Sequence, residues 1–132
     1  MEYIRWKEDL TVGINSIDDQ HKELFRLINA FYNSIINKSN KEGVSQVIKD
    51  LEDYIIVHFN AEETLMRASN YTGYASHKAE HEKFIETVAN YRKRHDEGRL
   101  LLSLEVTNFI KNWITDHIMK TDHLYKGKLL AG

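Results

Sequence analysis

The chain has 132 residues, 42% hydrophobic and 29% charged, a balance typical of one soluble globular domain with a single core. The net charge of −2 gives no reason to expect nucleic acid as a partner, and no apolar run is long enough for membrane insertion. The chain has no cysteine, which excludes disulfides, thiolate catalysis and cysteine-ligated metals. We expect a single cytoplasmic domain over residues 1–132 and favour a monomer.

The first fifteen residues lack a regular apolar period and predict a non-helical N-terminal arm, packed on the remainder through Trp6 and Leu10. Ser16 is the expected N-cap of the first helix. Apolar residues then recur at helical spacing in four blocks that no proline interrupts, and predict helices at about 17–37, 41–66, 75–95 and 100–124. The expected fold class is all-α, an antiparallel up-down-up-down four-helix bundle, because short connections make successive helices neighbours.

Polar residues interrupt the apolar stripes of these helices. On the second helix, His58 and Glu62 stand where the stripe expects Leu or Ile. An unpaired buried carboxylate is costly, so Glu62 requires a cation or strong hydrogen-bond donors. On the third helix, His77 and His81 share one face, since residues four apart are stacked one turn from each other.

The level of these residues in the bundle is more informative than any one of them. The starts of the first and third helices share a level with the ends of the second and fourth, because neighbouring helices run in opposite directions. Seven polar stripe residues fall at that level: His21, His58, Glu62, His77, His81, His117 and Asp122. A lone histidine is more often an ordinary core residue, but this joint placement predicts a metal site.

Five imidazoles and two carboxylates are too many for one tetrahedral zinc ion and suit two ions bridged by the carboxylates. Nitrogen and carboxylate ligands in a helical bundle favour non-haem iron, with manganese, zinc or copper as alternatives. The spacing of His117 and Asp122 is a difficulty, because residues five apart lie about 140° apart around an α-helix. Either the helix is distorted there, or the two side chains reach around a site that faces both.

The residues that carry this pattern resemble the hemerythrin family in its bacterial single-domain form, over nearly the whole chain. The matching segments are Trp6 with VGINSIDDQH (12–21), HFNAEETLM (58–66), HKAEH (77–81) and WITDHIMKTDHLY (113–125). One departure is Thr72, where the family often has proline after a tyrosine, and it affects only the expected rigidity of that loop.

The resemblance implies two iron ions with an oxo or hydroxo bridge, further bridged by Glu62 and Asp122. One iron would be held by three histidines and the other by two, and the second would keep an open position. There O2 would bind end-on and be reduced to a hydroperoxide. The first set is His77, His81 and His117, and the second set is His21 and His58.

Several further residues lie close in sequence to the ligand positions or share their residue type. The resemblance implies that Trp113, Ile114 and Ile118 line an apolar O2 pocket, whereas the spacing alone is equally typical of plain core. Gln20 is a candidate outer partner of the site, and Glu63 is expected to point into solvent. His95 and His123 match no ligand position and are expected to be ordinary histidines.

The expected function is reversible O2 binding for storage or delivery, without enzymatic activity. Imidazoles add less negative charge than carboxylates, so this ligand set should stabilise highly oxidised iron less than a carboxylate-rich set does. The alternatives are sensing or scavenging of O2 or nitric oxide, a di-iron peroxidase or oxidase, and a structural zinc site. The expected partners are O2 and a protein acceptor of O2.

Overall fold

Four helices account for most of the molecule, which we describe from a computed structural model over residues 3–38, 40–98 and 103–129. These ranges contain no β-strand, and none of their helices is long and apolar enough to cross a membrane. The helices are α1 (Asn15–Ile36), α2 (Lys41–Ala68), α3 (Tyr74–Asp96) and α4 (Leu104–Asp116). The fourth helix was expected to begin at residue 100, and residues 100–102 lie outside the described ranges.

Contacts between helix ends show the antiparallel order. Near the start of α1, Gln20 contacts His58 near the end of α2. At the other end of the bundle, the Ser45 hydroxyl near the start of α2 donates to Asp96 at the end of α3, over 2.7 Å. The all-α four-helix bundle predicted from the sequence is therefore confirmed.

The apolar stripes meet along the axis of the bundle. Each helix contributes fully buried side chains, among them Ile28 and Phe31 of α1, Leu51 of α2, Val88 of α3 and Ile110 of α4. A smaller apolar cluster closes one end of the bundle and consists of Val12, Ile14, Ile17, Met66 and Tyr125. This second cluster joins the arm to the chain segment that follows α4.

The N-terminal arm is fastened by two side chains of α1. The amide of Asn29 behaves as an added peptide group, accepting from the backbone N–H of Tyr3 and Ile4 and donating to the Ile4 carbonyl, all at 2.8–2.9 Å. The carboxylate of Asp18 accepts from the Val12 N–H at 2.9 Å. The arm is not wholly irregular, because Glu8–Leu10 forms one 3₁₀ turn.

The expected N-cap at Ser16 is wrong, since α1 begins at Asn15 and Ser16 is exposed. No side chain caps this helix end. Its first turn is instead tied to the arm, because Asp18 also accepts a hydrogen bond from the Thr11 hydroxyl at 2.5 Å. Tertiary contact has replaced local capping at this position.

After α4 the backbone changes its hydrogen bonding. His117–Thr121 is a π-helical segment, and Asp122–Tyr125 a 3₁₀ turn. In a π-helix the bonds run from i to i+5, which brings residues five apart towards the same side. His117 Nε2 accordingly lies 3.1 Å from Asp122 Oδ1. The distorted helix, one of the two alternatives for this spacing, is the one that occurs.

Removing the Asp18 carboxylate should loosen the arm. In Asp18→Ala the buried N–H of Val12 loses its acceptor, so we expect the free energy of unfolding to fall by about 1–3 kcal/mol. Urea denaturation followed by circular dichroism measures this. Asp19→Ala removes the neighbouring exposed carboxylate and should change stability little. Equal stability of the two variants would contradict this role.

Candidate metal centre

The seven predicted site residues lie together at one end of the bundle, and each is at most 4% exposed. They form two groups whose candidate ligand atoms lie within 4.8 Å of one another, and both groups include Glu62 and Asp122. We call them the three-histidine subsite and the two-histidine subsite. The first adds His77, His81 and His117 to the shared carboxylates, and the second adds His21 and His58.

In the three-histidine subsite the ring nitrogens converge on one point. His117 Nε2 lies 3.0 Å from His81 Nε2 and 3.1 Å from His77 Nε2. Glu62 Oε1 lies 3.0 Å from His81 Nε2 and 3.1 Å from His77 Nε2. Asp122 Oδ1 completes the group at 3.0 Å from His77 Nε2.

The two-histidine subsite uses the opposite oxygens of the same carboxylates. His21 Nε2 lies 3.1 Å from Asp122 Oδ2 and 3.7 Å from Glu62 Oε2. His58 Nε2 is also 3.7 Å from Glu62 Oε2. Each carboxylate thus presents one oxygen to each subsite.

Three histidines of the two groups turn their other ring nitrogen, Nδ1, towards an acceptor side chain. Gln20 Oε1 lies 2.7 Å from His58 Nδ1, so the outer contact considered for this residue is present. Glu63 is buried, with Oε2 at 2.8 Å from His81 Nδ1, and the expectation that it is solvated is wrong. Sequence reasoning missed Glu80, whose Oε1 lies 3.2 Å from His117 Nδ1.

A signal for Glu63 does exist in the sequence. Phe59, Glu63 and Met66 form a second buried row along α2, beside the stripe that contains Glu62. The width of the buried face therefore could have identified this carboxylate. Glu80 offered no such signal, since its side chain is 48% exposed and its partner lies on another helix.

Tyr125 is a further side chain at the site that the sequence did not single out. Its hydroxyl donates to Glu62 Oε2 over 2.6 Å, and its ring stacks on His77. Burial, together with the negative charges of Asp122 and Glu62, raises the pKa of this phenol well above its ordinary value. The proton therefore stays on Tyr125, which acts as a hydrogen-bond donor to the shared carboxylate.

The remaining histidines belong to neither group. His95 is buried near the end of α3, far along the bundle. His123 is placed between two backbone carbonyls, with Nδ1 at 2.6 Å from Ile118 O and Nε2 at 3.1 Å from Asp9 O. It joins the π-helical segment to the arm.

The three residues expected to form an apolar pocket occupy different surroundings. Ile114 and Ile118 are each 1% exposed and belong to the main core. Trp113 is half-buried, and its ring stacks on that of His117, with centroids 4.5 Å apart. Trp113 therefore packs against the three-histidine subsite.

Protons compensate the buried carboxylates in the metal-free chain. Burial lowers the pKa of His21, but the nearby carboxylates of Asp122 and Glu62 outweigh burial and raise it to about 9. The balance for His77 is the same, and its pKa is also raised to about 9. Burial lowers the pKa of His58 to about 3. Although burial opposes ionisation of Glu62, its histidine contacts hold the pKa well below the ordinary value.

The spacing of the donor atoms fits metal ions. Neighbouring ligands of an octahedral ion with bonds of about 2.1 Å are about 3.0 Å apart, as the ring nitrogens of the three-histidine subsite are. His21 Nε2 and both oxygens of Asp122 have no well-aligned hydrogen bond within the described ranges. Buried polar atoms that converge without being bonded to one another are what a cation would satisfy.

Fold and site together define a helical-bundle protein with a buried cluster of metal-binding residue types. A family model described as the hemerythrin HHE cation binding domain matches residues 12–129. The chain is 34% identical to a bacteriohemerythrin of Methylococcus capsulatus over 113 residues, 86% of each protein. It is 36% identical to a hemerythrin-like protein of Naegleria gruberi over 124 residues, 94% of this chain and 92% of that one.

Comparison with solved structures agrees with the family model and the sequence relatives. A wild-type hemerythrin superposes with a TM-score of 0.91 at 30% identity, over 96% of this chain and 97% of the other. The chain belongs to the hemerythrin family.

The titration of the site predicts a stability maximum near pH 6.5 for the metal-free protein. His21 and His77 bind protons more tightly when folded, so their contribution is complete below about pH 6.5 and is lost as the pH rises through about 9. His58 resists protonation when folded, so stability also falls as the pH decreases from about 6.5 towards 3.

Urea denaturation of the chelator-treated protein at several pH values checks this expectation. We expect a loss on the order of a few kcal/mol between pH 6.5 and 9. His21→Gln should flatten that alkaline decline, because one of the two raised pKa values is removed. A wild-type profile that is level above pH 6.5 would show that the carboxylates do not raise the pKa values of the two histidines.

Proposed function

We propose that the chain binds O2 reversibly at a centre of two iron ions with an oxo or hydroxo bridge. The supporting observation is the division of seven buried donors into two groups that share Glu62 and Asp122. The three-histidine subsite would hold one ion and the two-histidine subsite the other. Iron bound there would supply the electrons that O2 takes up on binding and returns on release.

The number of donors assigns different roles to the two subsites. Three imidazoles and one oxygen from each shared carboxylate would hold the ion of the three-histidine subsite, whereas the two-histidine subsite would offer its ion one donor fewer. O2 would therefore bind at the two-histidine subsite. Five neutral imidazoles support highly oxidised iron less well than a carboxylate-rich set would, which favours release of O2 over cleavage of its O–O bond.

Exclusion of water is the second contribution of the chain. We assign Ile114 and Ile118 to the pocket wall because both are fully buried, Ile114 on α4 and Ile118 in the π-helical segment next to His117. Trp113 would contribute by covering the His117 ring. An apolar, water-poor surrounding slows proton entry and irreversible oxidation.

A second candidate function is a di-iron peroxidase or oxidase, or a scavenger of nitric oxide. The observation in its favour is Glu63, a buried carboxylate in addition to the two shared ones. Glu63 contacts the outer nitrogen of His81 and belongs to neither donor group, so the ligand set itself stays rich in histidine. We therefore place reversible binding first.

Anaerobic reduction and controlled exposure to O2 test the proposal. The iron-loaded protein should contain about two irons per chain and develop a visible absorbance band with O2 that disappears when O2 is removed. Irreversible bleaching with consumption of O2 or peroxide would favour the enzyme. A protein purified with zinc that does not bind iron would overturn both functions.

Loss of one ligand should affect one subsite. In His117→Ala the three-histidine subsite keeps two imidazoles, so we expect roughly one iron per chain and no reversible band. Iron analysis and absorbance spectra measure these outcomes. His95→Gln, which changes a buried histidine outside both groups, should retain two irons. Full iron content and O2 binding in His117→Ala would contradict the ligand assignment.

A further inference from the structure

The two subsites differ in the charge of the groups behind their histidines. In the three-histidine subsite, His81 Nδ1 faces Glu63 Oε2 at 2.8 Å and His117 Nδ1 faces Glu80 Oε1 at 3.2 Å. In the two-histidine subsite, His58 Nδ1 faces the amide oxygen of Gln20 at 2.7 Å. Each contact fixes the proton on Nδ1, because these oxygens accept, and leaves the Nε2 lone pair directed into the site.

A carboxylate behind an imidazole does more than orient the ring. Its negative charge attracts the Nδ1 proton and raises the electron density at Nε2, which strengthens the bond from Nε2 to a cation. A neutral amide orients the ring without adding charge. The three-histidine subsite therefore has two negative outer groups, whereas the amide of Gln20 leaves His58 without one.

The two outer carboxylates differ in their exposure to water. The side chain of Glu63 is 8% exposed, so water screens its charge little. Glu80 is 48% exposed and is held by the Thr121 hydroxyl, which donates to its Oε1 over 3.1 Å. Glu63 should consequently contribute more than Glu80.

We propose that Glu63 and Glu80 are positioning residues that make the three-histidine subsite the first to fill with a divalent metal. Gln20 correspondingly keeps the two-histidine subsite the weaker of the two. The inference rests on the proposed ligand sets, and it adds an order of metal loading that the outer charges set. When metal is limiting, the subsite with the open position then fills second.

The extra imidazole also favours the three-histidine subsite, so the order in the wild type does not isolate the outer charges. Variants that remove or add a charge behind the histidines do isolate the effect of these charges. Glu63→Gln keeps an acceptor of the same size and removes the charge, whereas Gln20→Glu adds a charge at an equivalent contact. The matched controls are Glu82→Gln, exposed on α3, and Asn60→Asp, exposed on α2.

Titration of the metal-free protein with Zn²⁺ provides a readout independent of O2. Calorimetry gives the two affinities, and imidazole nitrogen NMR shows which rings respond in each step. In the wild type, the rings of His77, His81 and His117 should shift during the first equivalent. Those of His21 and His58 should follow during the second.

Glu63→Gln should weaken the first step by about 10–100-fold and change the second step less. Gln20→Glu should strengthen the second step and narrow the gap between the two affinities. The controls should leave both steps within about twofold of the wild type. Circular dichroism of the metal-free variants verifies that each is folded. If Glu63→Gln does not fold, the expected gain of second-step affinity in Gln20→Glu still tests the proposal.

Three results would overturn the inference. They are a first step in which His21 and His58 respond, a Glu63→Gln variant that weakens both steps equally, and controls that change affinity as much as the test variants. Failure of the proposed O2 function can be distinguished from failure of the loading order. Ordered binding of two zinc ions without reversible O2 binding by the iron form would leave the loading order intact and refute the O2 function.

Discussion

Glu62 and Asp122 place two negative charges at one end of an apolar bundle, where neither side chain is exposed at all. Burial of an uncompensated carboxylate costs several kcal/mol, so the fold must bring positive charge to the same point. His21 and His77 do this through protons, since the nearby carboxylates raise their pKa values to about 9. The five histidines of the two groups come from α1, α2, α3 and the π-helical segment that follows α4. The antiparallel order of the bundle is thus the condition for neutralising the two carboxylates, whether by protons or by metal ions.

The segments at this end of the bundle depend on one another. Asp122 reaches the site because the backbone before it is π-helical, and His123 connects that segment to Asp9 of the arm. The arm in turn is held by Asp18 of α1, three residues before His21. One series of contacts therefore connects the π-helical segment, the arm and α1.

The pattern of apolar residues was sufficient to predict the helices and the level at which seven polar side chains meet. It was insufficient for Ser16 and Glu63, for different reasons. Serine is a residue type typical of N-caps, but no side chain caps this helix end. Contacts between Asp18 and the arm stabilise it instead. Glu63 was expected in solvent because it follows Glu62, although the buried face of α2 is wide enough to include both carboxylates.

The sequence by itself determined the number and approximate limits of the helices, and the residues that share their buried faces, because a helical period is a local property of the chain. Only the tertiary structure decided which nitrogen and oxygen atoms face each other. The change to π-helical bonding after Asp116 is a departure from the ideal α-helix. The outer contacts of Glu80 and Gln20, and the hydrogen bond from Tyr125 to Glu62, join segments that are distant in sequence. Such contacts depend on the packing of whole helices, which spacing along one helix does not encode.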